Sequence, residues 1–479
     1  MSAPDLLALM PLLAVAAAAV IIMLVIAFYR NHTFTAFLAM AGLACAFMAL
    51  SWVTPLTPRT VTHLFIMDGY SLFYMGLLFI SSFAVTILSY GYLKEREIKH
   101  DEFYLLLLLA TLGSAVLVAS SHFVSFFLGL EILSVSLYTM ISYLHLSGKG
   151  NEAGVKYLIL AAVSAAFLLF GMALVYAQLG TMEFLPLAQK LASADKGDKL
   201  LLAGQVMIIT GIGFKLALVP FHMWTPDVYE GAPAPVAAFI ATSSKGAMFA
   251  LLLRYFTNID IHAYRPLFLI FAVVAIASMF AGNLLALLQN NVKRILAYSS
   301  IAHLGYLLVA LLSGGTLAVT AVGLYLTMYF VTTLGAFGIV TILSGKDRDA
   351  EMLDDYRGLA WRRPWLAAAF TAMLLSLAGI PLTAGFVGKF YVAAAGVGSA
   401  LWLLVLTLVI NSAIGLFYYL RVAAVLFAAP EEGKKSTAVS SPAFGTGFVL
   451  TTLTLLLVLL GVYPSPLIEL IKTTMAGFP

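Results

Sequence analysis

The first apolar stretch, LLALMPLLAVAAAAVIIMLVIAFY at Leu6–Tyr29, carries no charge, and stretches like it recur to the end of the chain. A run of about 20 apolar residues crosses the hydrocarbon of a bilayer as a helix, whereas barrel strands read as about 10 residues of alternating polarity. This repeating feature restricts the chain to one class, an all-α polytopic membrane protein. Composition agrees: 62% of the 479 residues are hydrophobic and 10% charged, with mean hydropathy +1.02. A soluble domain carries about a quarter charged residues. The first run lacks a basic n-region and is too long for a signal peptide, so it reads as a span. Runs bounded by charges, Pro or Gly predict about fourteen transmembrane helices. The tenth and eleventh are divided only by SGGT at 313–316.

Charge placement orients the bundle. Most of the 26 Lys and Arg fall at odd-numbered connections, among them Arg30, Lys94, Arg96, Lys149, Lys293, Arg294 and Lys346. Positive residues favour the cytoplasmic side, which places both termini outside the cytoplasm. Cys45 is the only cysteine, excluding disulfides within the chain and cysteine-held iron–sulfur clusters.

Four charges resist this accounting. Glu131, in FFLGLEILSV, and Lys215, Lys245 and Lys389 fall inside predicted spans. A charged side chain at a helix centre costs about 2.5–3.5 kcal/mol on insertion scales, so such groups face a bundle interior, a partner or water. A static Glu–Lys pair would account for one acid and one lysine; three lysines cannot all be neutralised by one acid. Burial disfavours an ammonium and a nearby carboxylate favours it. A Glu131–Lys215 pair that closes and opens would therefore hold and release a proton, with Lys245 and Lys389 as successive stations.

The prolines fit this reading. Pro220 follows Lys215 by five residues, and Pro381 precedes Lys389 by eight. Proline breaks a helix, and broken membrane helices are tolerated where freed backbone faces protein or a wet cavity. Interrupted, lysine-bearing helices seven and twelve suggest inverted five-helix repeats: 1–101 would hold three leading helices, 102–258 and 259–430 the repeats, and 431–479 the last helix. His222 and His303 are auxiliary candidates for a proton path, as imidazole titrates near neutrality, though each is as readily a histidine bonded to a neighbouring helix. Lys293 and Arg294 read first as cytoplasmic anchors, and Lys156 as a helix-end charge feeding the path. Asp227 and Glu230 are expected in the loop between spans seven and eight. Aromatic and methionine residues read as packing and lipid-facing surface. With so few membrane histidines, haem ligation is not expected.

Four segments, GFKLALVPFHMWTPDVYEGAPAPV (213–236), the Glu131 helix, NNVKRILAYSSIAHLGY (290–306) and LAGIPLTAGFVGKFYV (377–392), together resemble the antiporter-like subunits of respiratory complex I. The resemblance runs the length of the chain. It implies fourteen helices in two inverted five-helix repeats, each with a broken helix, and a row of polar residues at the membrane midplane. Glu131 resembles the family's helix-five glutamate, Lys215 its helix-seven lysine, Lys245 its helix-eight lysine and Lys389 its helix-twelve residue. His222, Lys293 and His303 match auxiliary polar positions. One sister subunit, chain M, has glutamate where this chain has Lys389. Another, chain L, continues into a long lateral helix. The resemblance implies both as partners in a bacterial inner membrane, and no nucleic acid. It also implies no cofactor here: flavin and iron–sulfur clusters belong to other subunits, and quinone is reduced elsewhere. The absence of a GxGxxG fingerprint agrees. The rival reading within the fold is a subunit of a multisubunit sodium/proton antiporter. A membrane spacer with vestigial charges and a small-solute carrier are the readings from other classes.

Overall fold

The computed structural model describes residues 2–96, 101–144, 148–193, 198–259, 264–429 and 444–478. Helices α1 (Ala3–Ala8), α2 (Met10–Phe28) and α3 (His32–Val53) lead into a hairpin of β1 (Arg59–Val61) and β2 (Phe65–Met67). There follow α4 (Gly69–Lys94), α5 (Asp101–Ala119), α6 (Phe123–Ile141), α7 (Gly148–Leu179), α8 (Phe184–Ser193), α9 (Lys199–Leu216), α10 (Trp224–Gly231), α11 (Ala234–Phe239) and α12 (Lys245–Thr257). The chain continues through α13 (Arg265–Leu287), α14 (Val292–Ser313), α15 (Gly315–Leu343), α16 (Leu359–Arg362), α17 (Pro364–Ala378), α18 (Ala384–Gly398), α19 (Trp402–Phe427), α20 (Phe444–Val462) and α21 (Ser465–Thr474). Among the described residues, 13 helices are long and apolar enough to cross a membrane. The two 15-residue helices α17 and α18 divide the twelfth apolar run between them. Gly314, at φ 65°, separates α14 from α15 where SGGT predicted a divide.

Local chemistry starts these helices. Asp68 caps α4, its side chain accepting from the Ser71 N–H at 2.8 Å, and Asn291 caps α14 through the Arg294 N–H. Close packing depends on small residues. A Cβ at Gly171 of α7 would lie 2.7 Å from the Gly204 carbonyl oxygen of α9, so these two backbones touch as small-residue membrane interfaces do. Burial is uneven. The Ala234–Thr257 segment and α14 are buried on every side, whereas α2, α7, α13 and α19 leave most of their surface outside. The central helices are the ones that carry Lys245 and His303.

Two spans break in the same way. Helix α9 ends at Ala217, φ 59°, with the Leu218 N–H donating to the Gly213 carbonyl at 2.8 Å. Helix α17 ends at Gly379, φ 85°, with the Ile380 N–H donating to the Leu375 carbonyl at 3.0 Å. Each is a six-to-one closure of a helix end through a left-handed residue. Pro220 and Pro381 sit in the turns that follow. A third irregularity is the π-turn Ile240–Ser244, immediately before Lys245; π-turns are frequent at functional sites.

The structure corrects one expectation here. Asp227 and Glu230 are not in a loop but on α10, which resumes after the break in the seventh run. Pro226 falls in the first turn of α10, where its missing N–H is tolerated. Trp224 anchors that turn, packing on Tyr157 and Phe214 and donating its indole N–H to the Phe214 carbonyl at 3.0 Å.

The chain ends meet at one end of the bundle. Asp5 pairs with Arg59 at 2.6 Å, and Phe478 stacks on Tyr70 with centroids 4.0 Å apart. There the buried Arg254 guanidinium pairs with Asp68 at 2.8 and 2.9 Å and lies over both rings. At the opposite end, α4, α10 and α15 finish and α7 and α14 begin, joined by ion pairs.

Candidate functional site

The three lysines share a surround that their sequence neighbours do not reveal. Lys215, in the last turn of α9, donates from Nζ to Ser134 Oγ of α6 at 2.6 Å and lies 5.3 Å from the Tyr157 ring. Lys245, opening α12, donates to Ser300 Oγ of α14 at 2.8 Å and lies 5.3 Å from the Tyr229 ring. Lys389, on α18, donates to Ser412 Oγ of α19 at 2.9 Å and lies 5.3 Å from the Tyr306 ring. Each ammonium thus has one serine hydroxyl and a tyrosine face, which attracts a cation electrostatically, and Lys215 and Lys245 have a second ring, Phe214 and Trp224, each at 5.9 Å.

Their coordination then divides them. Lys389 folds back across the break in the twelfth run and donates to the Leu377 and Ala378 carbonyls at 2.9 and 2.8 Å. With Ser412 its three N–H donors are matched by three acceptors, two of them from the negative end of α17. Lys215 and Lys245 each have a single hydrogen bond among the described residues. An amine with one acceptor loses less on giving up its proton than one with three.

Glu131 departs from the expected close pair. It is partly exposed on α6, within electrostatic reach of Lys215 but in no ion pair with it. Ser134, one turn along α6, takes that place.

Helix α14 connects Lys245 towards Lys389. Ser300, His303 and Tyr306 follow one another at about one turn along it, with Ser299 adjacent to Ser300. His303 is buried between two tyrosines, with Nδ1 2.7 Å from the Tyr325 hydroxyl and Nε2 3.3 Å from that of Tyr419. Ser299 also bonds the Tyr419 hydroxyl. Tyr306 accepts from Asn283 at 3.0 Å. A small cavity lined by His303, Tyr329, Ser376 and Gly388 reaches the break before Lys389. His222 lies in the turn after Pro220, buried, with neither ring nitrogen bonded among the described residues and Lys245 within electrostatic reach.

The remaining candidates lie elsewhere. Lys293 is buried in an ion pair with Asp349 at 2.8 Å, so it is no surface anchor. Lys156 stays at the rim, its side chain 43% exposed, paired with Glu152 at 2.6 Å and Asp227 at 2.9 Å. Among the described residues no three His, Cys, Asp or Glu side chains converge to hold a metal.

Comparison with known proteins decides the family. The family described as NADH:quinone oxidoreductase/Mrp antiporter, TM, matches residues 120–415. NADH-quinone oxidoreductase subunit N of Nitrosospira multiformis is 53% identical over 490 residues, covering 99% of this chain and 97% of that one. Subunit N of Ectopseudomonas mendocina is 49% identical, covering 98% and 96%. The chain belongs to the subunit N family of NADH-quinone oxidoreductases. In three dimensions it is similar to a chain of respiratory complex I from Thermus thermophilus, with TM-score 0.83 and 32% identity over 96% of this chain and 99% of that one. It shares its fold with a chain of the Mrp complex from Dietzia sp., with TM-score 0.85 at 19% identity over 100% and 98%.

Within this chain, the residues that sequence reasoning missed are Ser134, Ser300 and Ser412, the three facing tyrosines, and Asp349. Ser134 had a signal, lying one turn from Glu131, and Ser300 had another, three residues before His303. Asp349 had none: it sits in the charged stretch GKDRDAE (345–351), which reads as solvated loop.

Proposed function

We propose that this chain is a proton-translocating membrane-arm subunit of a bacterial NADH:quinone oxidoreductase. Its catalysis is movement of protons across the inner membrane, driven by quinone reduction in other subunits. The reading is carried by one observation: three buried lysines, each with a hydroxyl and an aromatic face, with the serine and histidine positions of α14 running from Lys245 towards Lys389. Lys215 and Lys245 are the exchanging stations. Each holds a proton against a single serine and passes it on when a neighbouring charge shifts. Glu131 is the acid that biases Lys215, and His303 with Tyr325 and Tyr419 carries protons laterally. Lys389, held by three oxygens, is the last and most firmly charged station. His222 is a further relay beside Lys245.

The chain holds no redox centre, so flavin and iron–sulfur chemistry belong to other subunits. Its neighbours are other membrane-arm subunits, including chain M and the long lateral helix of chain L. Both chain ends face the periplasm, because the opposite end of the bundle gathers the lysines and arginines that favour the cytoplasmic side. The matched breaks in helices seven and twelve support paired five-helix repeats.

The test is Lys215→Ala in the assembled complex, with NADH-driven proton uptake and NADH:quinone turnover measured in inverted membrane vesicles. Both are expected to fall about a hundredfold or more, the scale of a positioned proton-transfer group, with subunit content unchanged. Unaltered uptake and turnover would remove Lys215 from the path and favour a spacer.

A further inference from the structure

At the end of the bundle where α10 finishes and α14 begins, a cavity of about 270 Å³ opens to the medium. Its rim is an ion-pair ring in which Lys149 contacts Glu230 at 2.9 Å and Glu351 at 3.1 Å. Its inner wall is Asp349. One oxygen of that carboxylate accepts from Lys293 at 2.8 Å. The other accepts from Arg96 at 3.1 Å and from the Tyr92 hydroxyl at 2.7 Å. Lys346, Asp347, Arg348 and Glu351 line the cavity from its own segment, and Arg348 is engaged by Asp355. Burial alone would raise the Asp349 carboxyl, but the Lys293 and Arg96 charges outweigh it and hold it below the ordinary carboxylate range.

Two features separate this cluster from a structural clamp. The first is charge. One carboxylate faces two cations at the cavity wall, so these three side chains together carry one positive charge beyond a balanced pair. A clamp needs only the balanced pair. The second is continuity with the lysine row. Lys293 gives its other two N–H groups to the Glu230 and Ala232 carbonyls, at 2.9 and 2.6 Å. Tyr229, next to Glu230, places its hydroxyl 3.5 Å from Ser300, the hydroxyl that Lys245 holds. Lys293 and Ser300 are seven residues apart on α14, two turns or about 10 Å, and so share one face.

We propose that Asp349 and Lys293 form the proton inlet that serves Lys245. A hydronium ion arriving from the medium through the cavity protonates the Asp349 carboxylate and leaves water behind. The Lys293 ammonium gives a proton inward, towards Tyr229, Ser300 and the neutral amine of Lys245, and becomes an amine. Asp349 then returns its proton to Lys293, which restores the carboxylate and the ammonium. One proton has crossed the wall and the cluster's charge is unchanged. This inference rests on the reading of Lys245 as a proton station.

The test is Asp349→Asn in the whole complex, in inverted vesicles whose medium bathes the cavity. NADH:quinone turnover is followed as medium pH is raised, with a protonophore in every arm so that back-pressure plays no part. Turnover is expected to fall at least about tenfold, more steeply at high pH, where proton supply limits. Added formate, a small carboxylic acid, is expected to restore it severalfold while leaving the parent enzyme unaffected. Asp349→Glu should retain most of the rate. The inlet is overturned if Asp349→Asn keeps its rate, or loses it equally at every pH without rescue by formate. Lys245→Ala in the same series separates the two ideas. Full turnover there would remove the station itself, whereas an inactive Lys245→Ala beside a fully active Asp349→Asn removes the inlet alone.

Discussion

At the scale of residues, what distinguishes the lysines is how many oxygens each one has. A hydrogen bond to a charged group contributes about 1.5–3 kcal/mol, and Ser300 supplies the single one found for Lys245. Ser300→Ala is therefore expected to lower proton uptake and turnover about tenfold, while Ser300→Thr, which keeps the hydroxyl, stays close to the parent. The aromatic faces make a separate prediction. A desolvated cation–π contact is worth about 2 kcal/mol, and Tyr157 lies under Lys215. Tyr157→Phe should leave turnover nearly intact and Tyr157→Leu should reduce it about tenfold, as measured in vesicles with matched subunit content. Equal rates in Phe and Leu variants would assign Tyr157 to packing alone. The lysines themselves were legible in the sequence because charge inside a 20-residue apolar run has no other explanation. Their partners were not. Ser134 and Ser300 lie 81 and 55 residues from the lysines they bind, and a serine in a membrane helix usually bonds its own backbone.

At the scale of elements, the breaks position the site. Proline and glycine announced both of them, and their closures have the same hydrogen-bond pattern. The sequence did not reveal that the chain returns to helix after Pro220, because TPDVYEG reads as a loop until Trp224 is seen packed between Tyr157 and Phe214. Nor did it reveal the π-turn before Lys245, since Ile240–Ser244 has no distinctive composition. At the second break the two half-helices approach without room for a side chain. A Cβ on Gly385 would lie 1.8 Å from the Ser376 carbonyl oxygen. Gly385→Ala is expected to destabilise the subunit by about 1–3 kcal/mol, seen as a lowered melting temperature of the complex and less assembled enzyme. Gly447→Ala, where a Cβ meets nothing within 4 Å, should change neither.

At the scale of the molecule, the ion pairs fall into two sets with different purposes. Arg254 and Asp68 lie under the ring of Phe478, at the end where both chain termini gather, away from the cavity. Removing one member of a buried pair costs about 3–5 kcal/mol because the other charge is stranded, whereas removing both is often close to neutral. Arg254→Met alone should therefore reduce assembly. Arg254→Met with Asp68→Ser, which discharges the pair and keeps a cap for α4, should largely restore it. Proton uptake per assembled complex should be unchanged in both variants. Loss of uptake in the assembled double variant would show that this end belongs to the conduction path. The number of spans and their order were legible from hydropathy alone. Which charges meet across the bundle was not, since Asp349 and Arg96 are 253 residues apart in the chain.

The three oxygens around Lys389 have a consequence for ions. Unwound carbonyls at a half-helix end are the ligands with which membrane carriers capture sodium; here they surround a cation fixed to the chain by its own covalent tether. Such an occupant never dissociates into bulk, so its occupancy follows no isotherm and a dissolved ion competes with it only against a very high effective concentration. Turnover should accordingly be indifferent to exchanging sodium for potassium in the medium. A specific dependence on either ion would mean that the tethered ammonium leaves its cradle during the cycle.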